Sequence, residues 1–481
     1  LAGRVNRHMV LAIDQGGQST RAVLYGPTGE KLGSAAVPVS ENRPAPGRVE
    51  QDPEELVRSV ESSVSTLLGR FGSHAGPVGC KAGLATQRAG TICWNRETGE
   101  PLTPVLSWQD TRGAEILDRF QASSPFPSLD AEIHARTGLR LSPHYGVGKL
   151  LWCLQTVPAV KAAQEAGRLA CGPLASFLLF RCVDGRPFQV DPANGGRMLL
   201  YGRKRSWDPV LLETFGILPE WLPEPVPTLG RFGRLAGIDG KVELTAVTGD
   251  QSAVPFCRGN PSPDTMYINL GTGACLQQVV QERRVAPEGL LTSVILDDGV
   301  ETMQVVEGTV NGAASALNLH PAPDGTLDLL STPAPPLFLN GVSGLGSPWW
   351  NARFRSEFVG EGDAQARRDG VAESILFLVR TNLDRIAQAG KRPGRILAAG
   401  GLARSEPLMQ GLAALCRLPV DRLTDPEATA AGAAFLAAGR PAEWEGAGVE
   451  RFEPSRRPVL EERYARWTAL MEDRLANPSA S

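Results

Sequence analysis

Five apolar residues, Met9-Val10-Leu11-Ala12-Ile13, lead into a polar octet, Asp14-Gln15-Gly16-Gly17-Gln18-Ser19-Thr20-Arg21. A second apolar run, Ala22-Val23-Leu24-Tyr25, follows. Short apolar runs flanking a Gly-rich turn predict two strands joined as a hairpin. Lys31 to Val39 reads as a third strand. From Pro53 to Leu68 the period becomes helical: Leu56, Val60, Val64, Leu67 and Leu68 share one side, with Asp52 as N-cap and Pro53 in the first turn. Val78 to Ala85 and Thr91 to Asn95 read as strands, the second closed by a turn at Arg96-Glu97-Thr98-Gly99-Glu100. The pattern restarts near Val242. There, Leu244 to Thr248 predicts a buried strand that runs into Gly249-Asp250-Gln251 and the start of a small-residue helix. Met266-Tyr267-Ile268-Asn269-Leu270 then meets another turn, Gly271-Thr272-Gly273. Between residues 321 and 336 Pro and Gly interrupt any regular element, and Glu461 to Leu475 reads as a surface helix. Each half therefore opens with a strand, a Gly/Thr turn and a strand, at Asp14–Arg21 and at Leu270–Ala274. The repeat is one of pattern, since the residues differ.

Such turns suit phosphate. Glycines let backbone N–H groups approach phosphate oxygens, and hydroxyls add donors. Asp14 at a strand end can hold Mg²⁺ directly or through water, and Arg21 adds positive charge. A Gly-rich hairpin taken alone is no more than a turn. Composition narrows the setting. The 481 residues suffice for two or three domains. An apolar share of 42% and a charged share of 21% are those of a soluble globular protein. A net charge of −3 gives no support for a nucleic-acid surface. No apolar stretch is long enough for a membrane span, and no secretory signal is visible. Eight scattered Cys lack paired metal-ligand spacing and read as reduced thiols of a cytoplasmic protein. Five His argue against a His-based metal site. Residues 1–8 match no element, and Met9 reads as the natural start.

Four further blocks carry more information: Gly83-Leu84-Ala85-Thr86-Gln87-Arg88-Ala89-Gly90-Thr91 with Trp94; Leu106-Ser107-Trp108-Gln109-Asp110-Thr111-Arg112; Thr248-Gly249-Asp250-Gln251-Ser252-Ala253; and Ala399-Gly400-Gly401-Leu402-Ala403-Arg404-Ser405-Glu406-Pro407-Leu408-Met409-Gln410. Together with the opening hairpin they stand in the order and spacing of the FGGY carbohydrate kinases, and among these the chain is most similar to the glycerol kinases. Weaker blocks agree, including Lys149-Leu150-Leu151-Trp152 and Glu307-Gly308-Thr309-Val310. The resemblance runs from about Met9 to Arg440. It implies an α/β fold of two actin-like, ribonuclease-H-type domains with a nucleotide cleft between them. The expected division is an acceptor-binding domain at 9–255, an ATP-binding domain at 256–441 and a helical extension at 442–481.

The resemblance also implies roles. Asp250 is the expected general base, taking the proton of the acceptor hydroxyl as its oxygen meets the γ-phosphorus; an Asp that merely caps the following helix is the plainer reading. Gln251 would touch the acceptor or orient Asp250. Asp14 matches the family's Mg²⁺-associated Asp, and Gly16, Ser19, Thr20 and Arg21 its phosphate loop. The glycerol kinases carry Thr-Thr where this chain has Gly17-Gln18, so two hydroxyl donors are missing. Gly271, Thr272 and Gly273 resemble the second phosphate turn, and Gly312, Gly400, Gly401 and Ser405 resemble contacts to the nucleoside. Ser405 stands where the glycerol enzymes carry Asn, and Ala399 where the family carries Asp.

Arg88 and Trp108 match positions that hold the polyol by charge-assisted hydrogen bonds and an apolar wall. The Glu that follows this Arg in the glycerol kinases is Ala89 here, and the pocket Tyr matches His144. A site that loses a carboxylate gripping hydroxyls discriminates against that ligand, and Ala opens volume. The expectation is an ATP- and Mg²⁺-dependent kinase whose acceptor is a larger polyol or ketose rather than glycerol. The alternatives are a true glycerol kinase with a rebuilt pocket, a catalytically weak sugar- or nucleotide-binding protein, and another actin-like ATPase. The expected partners are a small sugar or polyol and ATP/ADP, with no nucleic acid, no membrane, and a homodimer within the family's range.

Overall fold

The computed structural model describes residues 9–71, 80–238, 242–280, 287–322, 327 and 335–477. The readings for residues 1–8, for the start of the strand at 78–79 and for most of 321–336 lie outside the described residues. The chain forms two compact units. The first comprises residues up to Asn260, Thr292–Gln304 and Thr429–Ala447; the second comprises Pro261–Leu291, Val305–Ala428 and the residues from Gly448 onward.

In the first unit, β1 (Val10–Gln15), β2 (Ser19–Tyr25), β3 (Lys31–Pro38), β4 (Lys81–Thr86), β5 (Leu229–Arg234) and β6 (Glu243–Gly249) form a sheet in the order β5-β6-β4-β1-β2-β3. The predicted hairpin is β1–β2, antiparallel, with Asp14 opposite Arg21. β4 runs parallel to β1, and β6 parallel to β4. Helix α1 (Pro53–Gly69) covers one face. Asp52 accepts from the Glu54 N–H at 2.9 Å, as an N-cap should. Leu56, Val60, Val64 and Leu67 are buried against Leu11, Leu24 and Leu84, with Leu68 at the margin. Each such side chain stabilises the fold by roughly 1.5–3 kcal/mol. The predicted strand Thr91–Asn95 leaves this sheet. It pairs with Val105–Leu106 and Leu169–Pro173 in a separate four-stranded sheet.

Parallel register fixes the location of the chemistry. Gln15 stands beside Thr86, and Thr86 beside Gly249. Asp14, Arg88 and Asp250 therefore emerge side by side from the carboxyl ends of three neighbouring strands, where ligands of open α/β sheets bind. Helices α2 (Gly146–Thr156), α3 (Pro192–Gly196) and α4 (Asp250–Ala253) border this edge.

In the second unit, β7 (Thr265–Leu270), β8 (Ala274–Val280), β9 (Thr302–Val310), β10 (Arg395–Ala399), β11 (Val420–Leu423) and β12 (Val449–Phe452) run side by side in the order β9-β8-β7-β10-β11-β12. β8 is antiparallel to β7, β10 parallel to β7, and β11 parallel to β10. The succession β8-β7-β10-β11 repeats β2-β1-β4-β6 in order and sense, as in a duplicated actin-like fold. Helices α5 (Ala364–Ala389), α6 (Glu406–Cys416) and α7 (Pro458–Ala476) flank it. The reading of α7 as a surface helix needs correction. Trp467 and Met471 are fully buried in the core of this unit, and Trp467 Nε1 donates to the Phe338 carbonyl at 2.9 Å. α7 also starts earlier than the periodicity suggested, because Pro458 opens its first turn.

Candidate active site

Asp250 opens α4 directly after β6. Arg88, two residues beyond β4, places its Nε 3.7 Å from Asp250 Oδ1. The two are close because Gly249 has no side chain: a Cβ there would stand 2.5 Å from Arg88 Cγ. Burial raises the Asp250 carboxyl above its ordinary range, opposed by the charge of Arg88, by Gln251 and by the charge of Arg197. The Gln251 N–H donates to Asp250 Oδ1 at 2.7 Å, so Gln251 orients the carboxylate. The helix-capping reading of Asp250 finds no support from the N-cap position, which is Gly249.

Ala89 is buried and left-handed, at φ 62°, a conformation non-glycine residues seldom take. Lys149 on α2 holds it there: its Nζ donates to the carbonyls of Ala89 at 2.9 Å and His144 at 2.7 Å. Lys149 is fully buried, and desolvation brings its pKa down to about 7. Sequence reading placed Lys149 in a motif without a role. A single Lys on the apolar helix Gly-Val-Gly-Lys-Leu-Leu-Trp was the available signal. The second clasped residue, His144, turns Nδ1 toward the Trp108 carbonyl at 3.1 Å. Trp108 itself is 41% exposed, so it is an open aromatic face and not a core residue. Its segment is fixed by Asp110, fully buried, which receives the Val49 N–H at 2.7 Å and a bidentate Arg112.

In the hairpin, the Gly16 N–H donates to the Ser19 carbonyl at 3.0 Å, and Asp14 Oδ2 lies 4.0 Å from Arg21 Nη1. Thr20 does not point with them. Its hydroxyl lies inside, 2.6 Å from that of Ser59 on α1, which removes it as a side-chain donor to phosphate. An amide relay not foreseen from the sequence carries the loop: Gln51 Nε2 donates to the Gly17 carbonyl at 3.0 Å, and Gln87 Nε2 to Gln51 Oε1 at 2.6 Å.

In the second unit, the Gly271-Thr272-Gly273 turn is braced by the chain at Gly312. The N–H groups of Ala313 and Ala314 donate to the Thr272 and Gly271 carbonyls at 3.0 and 3.1 Å. Gly400 is at φ 91°, and a Cβ there would meet the Leu270 carbonyl at 2.4 Å, so the two glycine turns lie together at the ends of β7 and β10. Gly401 faces open space. Ser405 is the N-cap of α6, accepting from the Leu408 N–H at 3.4 Å. Beside Gly400 lies a cavity of about 310 Å³ lined also by Ala403, Arg404, Arg422 and Asp425. It is of the size of a small-molecule site. Among the described residues, no cluster of His, Cys, Asp or Glu could hold a metal by itself, and no helix is long and apolar enough to cross a membrane.

A doubled sheet of this order, with acid-bearing strand ends and glycine turns, defines an actin-like protein. The FGGY family of carbohydrate kinases matches most of the chain, with the N-terminal domain over residues 9–267 and the C-terminal domain over 266–439, and the chain belongs to that family. It is 31% identical to a glycerol kinase of Allorhizobium ampelinum, over 92% of this chain and 94% of that one. It is 33% identical to a glycerol kinase of Alkalilimnicola ehrlichii, over 89% of each. Among solved structures, Plasmodium falciparum glycerol kinase with ADP superposes with a TM-score of 0.84 at 22% identity, covering 98% of both chains. Xylulose kinase from Lactobacillus acidophilus does so with 0.83 at 19%, covering 98% of this chain and 99% of its own.

Proposed function

We propose that the protein transfers the γ-phosphoryl group of ATP to a hydroxyl of a polyol or ketose of four or more carbons. The observation that carries this reading is the pairing of Asp250 with Arg88 at the strand ends beside Ala89. Asp250 takes the acceptor's hydroxyl proton; the oxygen bonds to the γ-phosphorus as the bond to the β-phosphate oxygen breaks, and ADP leaves. Arg88 and the face of Trp108 hold the acceptor. The relatives named glycerol kinase and the ADP-bound glycerol kinase structure support the choice of a polyol hydroxyl and of ATP.

Mg²⁺ fits as a cofactor. A single carboxylate at the hairpin, together with nucleotide phosphates and water, is the donor set this cation prefers over an all-protein cage. Asp14 would hold it, and Mg²⁺ would supply neutralising charge to the transferring group. The eight cysteines form no disulfide with one another and seven of them are buried, which supports a reducing cytoplasmic setting.

The test is ADP release from Mg·ATP with glycerol, erythritol, xylulose and ribulose. Turnover on an acceptor of four or five carbons well above that on glycerol is expected. Efficient turnover on glycerol would contradict the pocket reading. The variant Ala89→Glu should shift preference toward glycerol by an order of magnitude or more, since a carboxylate that grips hydroxyls discriminates by about that much.

A further inference from the structure

Three buried glutamines stand beneath the opening hairpin. Gln15, at the end of β1, is fully buried; Gln51, just before α1, and Gln87, one residue beyond β4, are 2% and 3% exposed. Gln87 is the hub. Its Nε2 donates to Gln51 Oε1 at 2.6 Å and to Gln15 Oε1 at 3.4 Å, which uses both hydrogens of the amide. The two amides so anchored reach consecutive carbonyls of the turn: Gln15 Nε2 donates to that of Gly16 at 2.7 Å, and Gln51 Nε2 to that of Gly17 at 3.0 Å. The Gln87 N–H donates in turn to the Gln15 carbonyl at 2.8 Å, which ties the hub to the hairpin. Gln87 Oε1 lies under the turn as well, 3.7 Å from where a Cβ on Gly17 would stand.

A trans peptide is planar, with its C=O and N–H pointing in opposite directions. Drawing the Gly16 and Gly17 carbonyls inward therefore turns the N–H groups of Gly17 and Gln18 outward. Among the described residues neither N–H donates to a protein group. Gly17 is partly exposed and Gln18 exposed. Successive N–H groups of a turn make an anion-binding concavity. This turn lies on the edge that carries Asp250, since Gln15 stands beside Thr86 and Thr86 beside Gly249. The oxygen that gives its proton to Asp250 bonds to the γ-phosphorus, so the anion at this edge is the γ-phosphoryl group.

Resting on the kinase reading above, we infer that Gln51 and Gln87, together with Gln15, are positioning residues: they hold the hairpin so that the Gly17 and Gln18 N–H groups receive the γ-phosphoryl group, in place of the two hydroxyls the turn lacks. They act through the Gly16 and Gly17 carbonyls.

The test is calorimetric binding of Mg·ADP and of the Mg²⁺ complex of β,γ-imido ATP, which keeps a γ-phosphoryl group without transferring it, together with kcat for ADP release. Gln51→Met keeps the length of the side chain and removes the bond to Gly17. It should weaken the imido analogue about ten-fold or more and lower kcat by at least as much, with ADP affinity unchanged, because ADP lacks the group these donors receive. Gln87→Met removes the hub and should do the same more mildly, since Gln15 and Gln51 keep their own bonds to the turn. A wild-type measurement covers the case that neither variant folds: the backbone amide resonances of Gly17 and Gln18 should move further with the imido analogue than with ADP. Equal weakening of ADP and analogue in the variants, unchanged analogue affinity and kcat, or equal resonance shifts with the two nucleotides overturns the inference while leaving the kinase intact. Absence of phosphoryl transfer to every acceptor, with the analogue still selectively weakened in Gln51→Met, overturns the kinase reading and keeps the positioning residues.

Discussion

As the proposed base, Asp250 has a strength set by its neighbours. Burial raises its pKa, and Arg88 is the largest opposing influence. Activity requires the carboxylate, so it should fall as pH drops through this raised value. Arg88→Met removes the opposing charge and raises the pKa further. The acid limb of log kcat/KM should therefore move to higher pH, in addition to the rise in KM from lost acceptor contacts; an unmoved limb would disconnect the two residues. Lys149 gives a second pH signature. Unfolded, it keeps its proton to about 10.5; folded, it gives it up near 7. The unfolded chain then binds more protons across this interval, so stability rises with pH. Above pH 9 the buried thiols reverse the trend. Burial keeps Cys80 and Cys182 protonated in the fold to about 12, whereas an ordinary thiol ionises at 9.0. Denaturant unfolding should show stability climbing by about 1 kcal/mol from pH 7 to 8, below the range in which the thiols titrate, a rise that Lys149→Met abolishes. Asp250 and Arg88 were legible in the sequence because each sits in a short motif next to a strand. Lys149 was not, because its role depends on a partner 60 residues away.

At the scale of elements, the site depends on close backbone approach. The helix Ala428–Ala437 lies against the strand-end edge: a Cβ on Gly432 would meet the Ala253 carbonyl at 1.9 Å, and one on Gly83 the Ala433 carbonyl at 2.3 Å. Gly432→Ala must push this helix away from α4, which begins with Asp250. We expect a lower unfolding midpoint together with a loss of kcat. A variant that is less stable yet fully active would show that α4 does not need this support. Thr20 makes the opposite case. Thr20→Val should cost about 1 kcal/mol through the lost bond to Ser59, with the KM for ATP unchanged; a large rise in KM would restore it to the phosphate loop. Its inward direction was readable, since alternate residues of a strand face opposite sides and Arg21 faces out. Counting hydroxyls in the motif without their parity gave the wrong donor. The order of strands could not be read. Only pairing shows that residues near 14, 88 and 250 share one edge.

For the whole molecule, the same strand order occurs twice with different furnishings. The first unit carries the acid and the guanidinium, the second the glycine turns and the larger cavity. Gly400→Val should abolish ADP binding, because a side chain at φ 91° would collide with the Leu270 carbonyl. Acceptor binding should survive, since none of its residues lies in that unit; calorimetry with each ligand separates the two. The most direct measurement is acceptor phosphorylation from Mg·ATP by wild type and Asp250→Asn, read as ADP release and as new phosphate ester, with ADP affinity measured alongside. Wild type should form ester and ADP in equal amounts, and the variant should be slower by about 10²–10⁴-fold with its ADP affinity unchanged. Ester formation at the wild-type rate in Asp250→Asn would contradict the assignment of the base.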